Sequence, residues 1–167
     1  MNMKMGFGKA NITPPEGVEL AGYGYFLKRR NTGVVEDLFA RAIVLEVNGV
    51  KSVLLNADLI GMGDQLSTEL ESMIEKKYGI DYECIMIASI HTHTGPATGL
   101  LCGCGEFDKA YYQSLLEKCL MAIDNAFADL APVSSASTSI GTMEKSFAHN
   151  RAVKGGPIDD SVRTVYF

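Results

Sequence analysis

Hydrophobic positions along the chain change period several times, and each change marks an element. Ala40 to Val47, ARAIVLEV, is dense in branched residues and reads as a strand. Asn48-Gly49, a strong hairpin signal, follows at once, and Ser52 to Asn56, SVLLN, reads as the antiparallel partner. From Asp64 to Tyr78 the period lengthens. Leu66, Leu70, Met73, Ile74 and Tyr78 share one face at three- and four-residue spacing, which predicts a helix capped by Asp64 and stopped by Gly79. Cys84 to Ile90, CIMIASI, is apolar almost throughout and reads as a buried strand. Asp108 to Leu130 predicts a long helix with Tyr112, Leu115, Leu116, Cys119, Ile123 and Phe127 inward, Asp108 as N-cap and Pro132 closing it. Ser135 to Thr142 and Arg163 to Phe167 read as further strands joined by a polar, glycine-bearing loop. Residues 1–33, rich in Gly and Pro, read as an extended leading segment, with glycines between Gly17 and Gly24 placed for tight turns or close backbone approach.

The order strand, strand, helix, strand, helix, strand, strand predicts an α/β fold, a mixed β-sheet with flanking helices. No repeat or linker is visible, so residues 1–167 read as one portion of a single domain. The last strand stops on VRTVYF without cap or tail, which reads as an incomplete, truncated domain whose open edge invites self-association.

Composition narrows the function. The chain has 167 residues, 47% hydrophobic and 21% charged, which suits a globular domain with a packed core. Its net charge is −5. Nucleic-acid binding needs a basic face to displace counterions, and the count offers none; the run Lys28-Arg29-Arg30 reads as a solvated loop. No transmembrane segment is expected, because the best apolar run, Ser52 to Gly63, is broken by Asn56 and Asp58. The start MNMKMGFGKANITPP lacks the apolar core of a signal peptide, which predicts a cytoplasmic chain. In that reducing compartment Cys84, Cys102, Cys104 and Cys119 read as free thiols.

The strongest chemical feature is His91-Thr92-His93 at the end of the apolar strand. Side chains two apart on a strand point the same way, which places two imidazoles on one side at a strand's carboxyl end, where ligands gather in α/β sheets. Imidazole is a common zinc ligand, so one reading is a metal site to which both histidines contribute and a further ligand comes from elsewhere. The other is two histidines bonded to loop backbone. Asp58 ends the second strand; were that strand parallel to Cys84–Ile90, Asp58 would share the sheet end with His91. There it can bind metal, orient a histidine through its second N–H, or simply close a turn before Gly61. Cys102 and Cys104 lack structural zinc spacing and read as loop packing first and a redox-sensitive pair second. Glu106 lies in the same loop. Arg151, in His149-Asn150-Arg151, offers a planar fork for a carboxylate or carbonyl, or is a solvated loop arginine.

The segment ASIHTHTGP resembles the Thr-His-Thr-His-Ser-Gly-Pro signature of neutral, non-lysosomal ceramidases. Gly6 to Pro14, GFGKANITP, resembles that family's opening, Leu20-Ala21-Gly22-Tyr23 its glycine-tyrosine turn, and Asn56-Ala57-Asp58-Leu59 a later element. His149-Asn150-Arg151 falls where the family has an Asn-Arg pair. The similarity covers essentially the whole chain. It implies a zinc-dependent hydrolase cleaving the amide of an N-acyl sphingoid base, or a related lipid or small-molecule N-acyl substrate, by metal-activated water, zinc lowering that water's pKa to about 7. His91 then binds zinc, His93 lies in the active site, and Arg151 contacts substrate. The resemblance places the second zinc histidine, further Glu and Tyr ligands and an active-site serine beyond Phe167, so this portion alone is expected to be inactive. Thr94-Gly95-Pro96-Ala97-Thr98 replaces the family's Ser-Gly-Pro-Gly-Gly, and the loop LLCGCGEFD points to a shorter bacterial branch. Two other readings stand beside this one: a non-catalytic remnant serving as a binding or assembly module, and a thiol redox protein using Cys102 and Cys104.

Overall fold

The computed structural model describes residues 2–144 and 147–167. By contacts the chain divides after Pro132 into two compact units. The first holds β1 (Met3–Asn11), β2 (Phe39–Val47), β3 (Val50–Ala57), α1 (Asp64–Tyr78), β4 (Ile85–Ser89), α2 (Lys109–Ala128) and the short β5 (Ala131–Pro132). Its strands form one mixed sheet in the order β4-β3-β2-β1-β5. The β3–β4 pair is parallel and the others antiparallel. This is the expected α/β arrangement of a mixed sheet with helices. The second unit is an antiparallel ribbon of β6 (Ser137–Thr142) and β7 (Ser161–Tyr166). The terminal strand is therefore paired rather than left single.

Local chemistry explains most of these elements. Asn48 (φ 51°) and Gly49 (φ 89°) both take left-handed backbone, as a two-residue turn matched to strand twist requires. Gly79 ends α1 at φ 63°, its N–H reaching the Glu75 carbonyl at 2.9 Å. Asp64 is not the cap of α1 but its first residue; Gly63 precedes it without a side-chain bond, and the Asp64 charge favours the positive helix end instead. Asp108 does cap α2, accepting from the Tyr111 N–H at 2.8 Å.

Two further sequence expectations change. The apolar stretch Cys84 to Ile90 is not a buried strand: Tyr82–Cys84 is a 3-10 turn, and β4 begins at Ile85 on the edge of the sheet, with Met86 and Ile90 exposed. The leading segment is not merely extended, because Met3–Asn11 forms β1, paired along nine residues with β2. Gly6 and Gly8 lie on the face toward α2. A Cβ on Gly6 would strike the Ala126 carbonyl, and one on Gly8 the Ala122 carbonyl. Across the register, Gly6, Gly8 and Ala10 stand opposite Val44, Ala42 and Ala40. Small side chains thus bring α2 down onto the sheet. Leu115, Leu116, Cys119 and Ile123 of α2 then close one core with Val44, Val53 and Leu55 from the sheet and Leu66, Leu70 and Ile74 from α1. The opposite face of the sheet carries Phe7, Ile43, Leu54 and Met86 in one cross-strand row, three of them exposed. No helix of the described residues is long and apolar enough to cross a membrane.

The two helices are also tied at the surface. Asp124 accepts from Lys77 Nζ at 2.7 Å and from the Tyr78 hydroxyl at 2.9 Å. Those donors, the Lys77 ammonium first, hold the Asp124 carboxyl below its ordinary range.

Gly8→Ala should destabilise the chain by about 3 kcal/mol, because the added methyl meets helix backbone that cannot rotate away. Gly33→Ala, which meets nothing within 4 Å, is the control and should change stability by less than about 0.5 kcal/mol. Urea unfolding of the two variants checks this; equal stabilities would refute the close-packing account. Because the Asp124 carboxyl is lowered in the folded state, its contribution is present above about pH 4 and fades as pH falls through its folded value. Wild type should therefore exceed Asp124→Asn in stability at neutral pH, and the gap should close in acid.

Candidate functional site

The parallel pairing of β3 and β4 puts Asp58 and His91 at the same end of the sheet. Beyond Ala57 and Ser89 the two chains keep running side by side. The Ile90 N–H reaches the Ala57 carbonyl at 3.2 Å, and the His91 N–H reaches that of Leu59 at 3.0 Å. The strand itself stops at Ser89, so strand alternation does not align the imidazoles. His91 instead takes a left-handed conformation (φ 65°), unusual for a residue with a Cβ. That turn brings the rings of His91 and His93 together, centroids 4.9 Å apart and planes at 73°. The two rings meet through this turn, not through strand alternation.

His91 Nδ1 lies 2.6 Å from the Ile60 carbonyl. A carbonyl can only accept, so this nitrogen carries the proton, and in the neutral ring Nε2 keeps its lone pair outward. A metal-binding histidine is held in this way, its other nitrogen donating to a backbone carbonyl that fixes tautomer and orientation. His91 is exposed and His93 half-buried.

Asp58 sits where the sequence placed it, but its oxygens face other partners. Oδ1 takes Arg41 Nη1 at 2.6 Å and Oδ2 takes the Phe39 N–H at 2.9 Å. Asp58 therefore anchors β2 and Arg41 rather than orienting a histidine. Among the described residues no group of three or more His, Cys, Asp or Glu side chains is gathered to hold a metal ion. His91 and His93 fit a metal as part of a ligand set, not as all of it.

The sequence reading missed the segment that holds His93. Gly22 (φ 120°) packs against it so closely that a Cβ would lie 2.5 Å from the His93 Cα. Tyr23 meets the His93 ring edge-on at 5.7 Å. Arg29, read as part of a solvated run, donates through Nη2 to the Ala21 carbonyl at 2.6 Å and the His93 carbonyl at 3.2 Å, its guanidinium 4.8 Å from the Tyr23 ring. Arg30 bonds the Gly17 carbonyl and the buried Glu19. The Glu19 carboxyl, accepting above all from the Glu106 N–H and also from the Lys28 N–H, is held below its usual range. The glycines of residues 17–24 were the available signal. They mark close backbone approach to the histidine loop.

Thr92 and Thr94, which alternate with the histidines, border a cleft of about 1000 Å³ together with Arg41, Asp58, Asn31 and Ile90. Asn31 is buried, and its Oδ1 has no partner among the described residues. In the second unit, Arg151 is exposed and lines that unit's own shallow cleft with His149, Asn150 and Lys154. Asn150 shapes its loop, Oδ1 accepting from the Ala152 and Val153 N–H groups at 3.0 and 2.9 Å. All four cysteines are free thiols. Cys104 is buried, its Sγ 2.9 Å from the Gly24 carbonyl, whereas Cys102 is exposed. Burial pushes the Cys119 thiol up to about 12.

Residues 3–154 match the family model for the neutral/alkaline non-lysosomal ceramidase N-terminal region. The neutral ceramidase of Drosophila melanogaster is 33% identical over 102 residues, 59% of this chain and 14% of that protein. That of Pseudomonas aeruginosa is 34% identical over 98 residues, 56% of this chain and 14% of its own length. The crystal structure of neutral ceramidase from Pseudomonas aeruginosa superposes with a TM-score of 0.74 at 25% identity, covering 85% of this chain and 24% of that one. A ceramidase complexed with C2 shares the fold at a TM-score of 0.73. The matched segment thus spans about 14% of the length of these curated relatives.

Native protein treated with a thiol reagent near pH 8 should be labelled at Cys102 first, while Cys119 reacts only at the rate of unfolding. Peptide mass spectrometry over time reads this; equal labelling rates would contradict the burial described.

Proposed function

The chain belongs to the neutral/alkaline non-lysosomal ceramidase family, and from that membership we propose that it supplies the N-terminal part of a zinc-dependent amidase site. The substrate class is an N-acyl sphingoid base or a related lipid or small-molecule N-acyl amide. The observation that carries the metal reading is the 2.6 Å bond between His91 Nδ1 and the Ile60 carbonyl, which leaves Nε2 as an oriented lone pair beside the His93 ring. His91 would hold the ion, with His93 beside it as a second ligand or a polar group toward substrate. A zinc ion supplies a Lewis acid for the amide carbonyl and a water acidified enough to act near neutral pH.

The chain's own residues have separable tasks in this reading. Ile60, through its carbonyl, fixes the His91 tautomer. Arg29 and Gly22 fix the position of His93. Arg151 is proposed to contact substrate through its planar fork of donors, on the strength of its Asn-Arg motif. The remaining ligands are proposed to come from outside this chain, and the chain alone is proposed to be inactive. Self-association through an open sheet edge is proposed too, supported by β4, which lies outermost in the strand order.

The longer polypeptide carrying the remaining ligands, stripped with chelator and titrated with zinc, should take up about one ion, and His91→Ala should weaken that uptake by roughly tenfold or more. In the longer polypeptide carrying the remaining ligands, Arg151→Ala should lower N-acyl-sphingosine hydrolysis while leaving zinc content unchanged. Zinc uptake indifferent to His91→Ala, with no amide product from the longer polypeptide, would reject the proposal in favour of a non-catalytic module.

A further inference from the structure

His91 and His93 are oriented by different means. A hydrogen bond sets the His91 ring, its Nδ1 lying 2.6 Å from the Ile60 carbonyl. Among the described residues, neither ring nitrogen of His93 has a hydrogen-bond partner. An imidazole without such a bond turns broadly about its last side-chain torsion. Packing must then hold the His93 ring where it meets His91.

The residues that touch His93 come from the segment 22–29. Gly22 lies against its backbone, so close that a Cβ would come within 2.5 Å of the His93 Cα and Cβ and 2.8 Å of its Cγ. Arg29 Nη2 donates to the His93 carbonyl at 3.2 Å. These two contacts fix where the side chain starts and leave its ring free to turn. Two rings restrict that turning. His91 lies 4.9 Å from it, centre to centre, with planes at 73°, and Tyr23 lies 5.7 Å from it with planes at 86°. Near-perpendicular packing is an arrangement that ring quadrupoles favour at such separations.

Tyr23 is itself held. The Arg29 guanidinium carbon sits 4.8 Å from its ring centre, and the same guanidinium donates to the Ala21 carbonyl at 2.6 Å. One cation thus backs the Tyr23 ring and grips the His93 backbone. The Tyr23 hydroxyl has no partner among the described residues, so the ring and not the hydroxyl makes the contact.

We propose that Tyr23 is a positioning residue for His93, its ring doing for that imidazole what the Ile60 carbonyl does for His91. The role rests on the amidase reading for the chemistry His93 performs, but the contact lies wholly within this chain and needs neither zinc nor substrate. The two restraints suit two tasks. A bond to a carbonyl spends one nitrogen and fixes the tautomer. A ring contact fixes direction and leaves both nitrogens of His93 for a ligand or a substrate.

The test uses the longer polypeptide carrying the remaining ligands. Tyr23 is 61% exposed, so Tyr23→Ala opens no core cavity and should keep the fold. Stripped of metal and treated with diethyl pyrocarbonate, which acylates unprotonated imidazole, Tyr23→Ala should react severalfold faster at His93 than wild type. Tyr23→Phe should react there at the wild-type rate, and His149 should react equally in all three; peptide mass spectrometry reads each site. With zinc restored, kcat for N-acyl-sphingosine hydrolysis should fall about tenfold in Tyr23→Ala and stay within about twofold of wild type in Tyr23→Phe. In a His93→Ala background the Tyr23→Ala change should cost nothing further, because the ring it positions is gone. Wild-type labelling or wild-type kcat in Tyr23→Ala would overturn the proposal. A phenylalanine variant as impaired as the alanine one would overturn it too, assigning the effect to the hydroxyl, as would losses that add in the double variant. Wild-type polypeptide that neither takes up zinc nor yields amide product would reject the amidase reading alone, since His93 labelling still decides the contact.

Discussion

The parallel pairing of β3 with β4 is the constraint on which the histidine site rests. A parallel pair cannot be joined by a tight turn, so the chain must cross over, and α1 with its following 3-10 turn is that crossover. Once both strands point the same way, their carboxyl ends coincide. The chain leaving β3 presents the carbonyls of Leu59 and Ile60, and the chain leaving β4 lays His91 along them. Three hydrogen bonds between exiting segments, not a strand ladder, set the histidine's tautomer and position. An antiparallel β4 would bring the same residues to opposite ends of the sheet.

Much of this was legible in the residues, and the misses share a physical cause. The hairpin and both helices follow from local signals, namely Asn48-Gly49, the helical period of Leu66 to Tyr78 and the Asp108 cap. β1 was hidden because Gly6 and Gly8 read as punctuation, whereas here they answer a long-range demand, the approach of a helix some 120 residues away in the chain. The edge position of β4 was hidden because an apolar run carries no record of how many neighbours it has. The histidine pair was found for a reason that does not operate, since the left-handed turn at His91 replaces strand alternation. Arg29 could not be found from spacing, because its role is to bond two carbonyls from distant segments.

The distribution of charge sharpens the chemistry. Asp58 and Glu19 are buried carboxylates near the histidine loop, and each has its oxygens taken up by an arginine and by backbone N–H groups. Such groups organise loops and leave little capacity to accept from an imidazole. His91, by contrast, spends only Nδ1, on the Ile60 carbonyl. The chain covers 24% of the solved relative, and in the proposed reading the remaining ligands come from outside it.

One segment links that site to the surface. Residues 20–23 pair with the histidine loop on one side, through the Ala21 N–H to the Gly95 carbonyl and the contact of Gly22 with His93, and lead directly into the exposed aromatic tip on the other. Arg29 joins the two ends, holding the His93 carbonyl while its guanidinium lies against the Tyr23 ring. Residues 20–29 thus form a closed frame of short bonds beside the His93 segment. The frame has no glycine between Ala21 and Arg29 other than Gly22, pinned against His93, and Gly24, whose carbonyl accepts from Cys104. The position of the His93 ring is therefore set by a segment some 70 residues earlier in the chain.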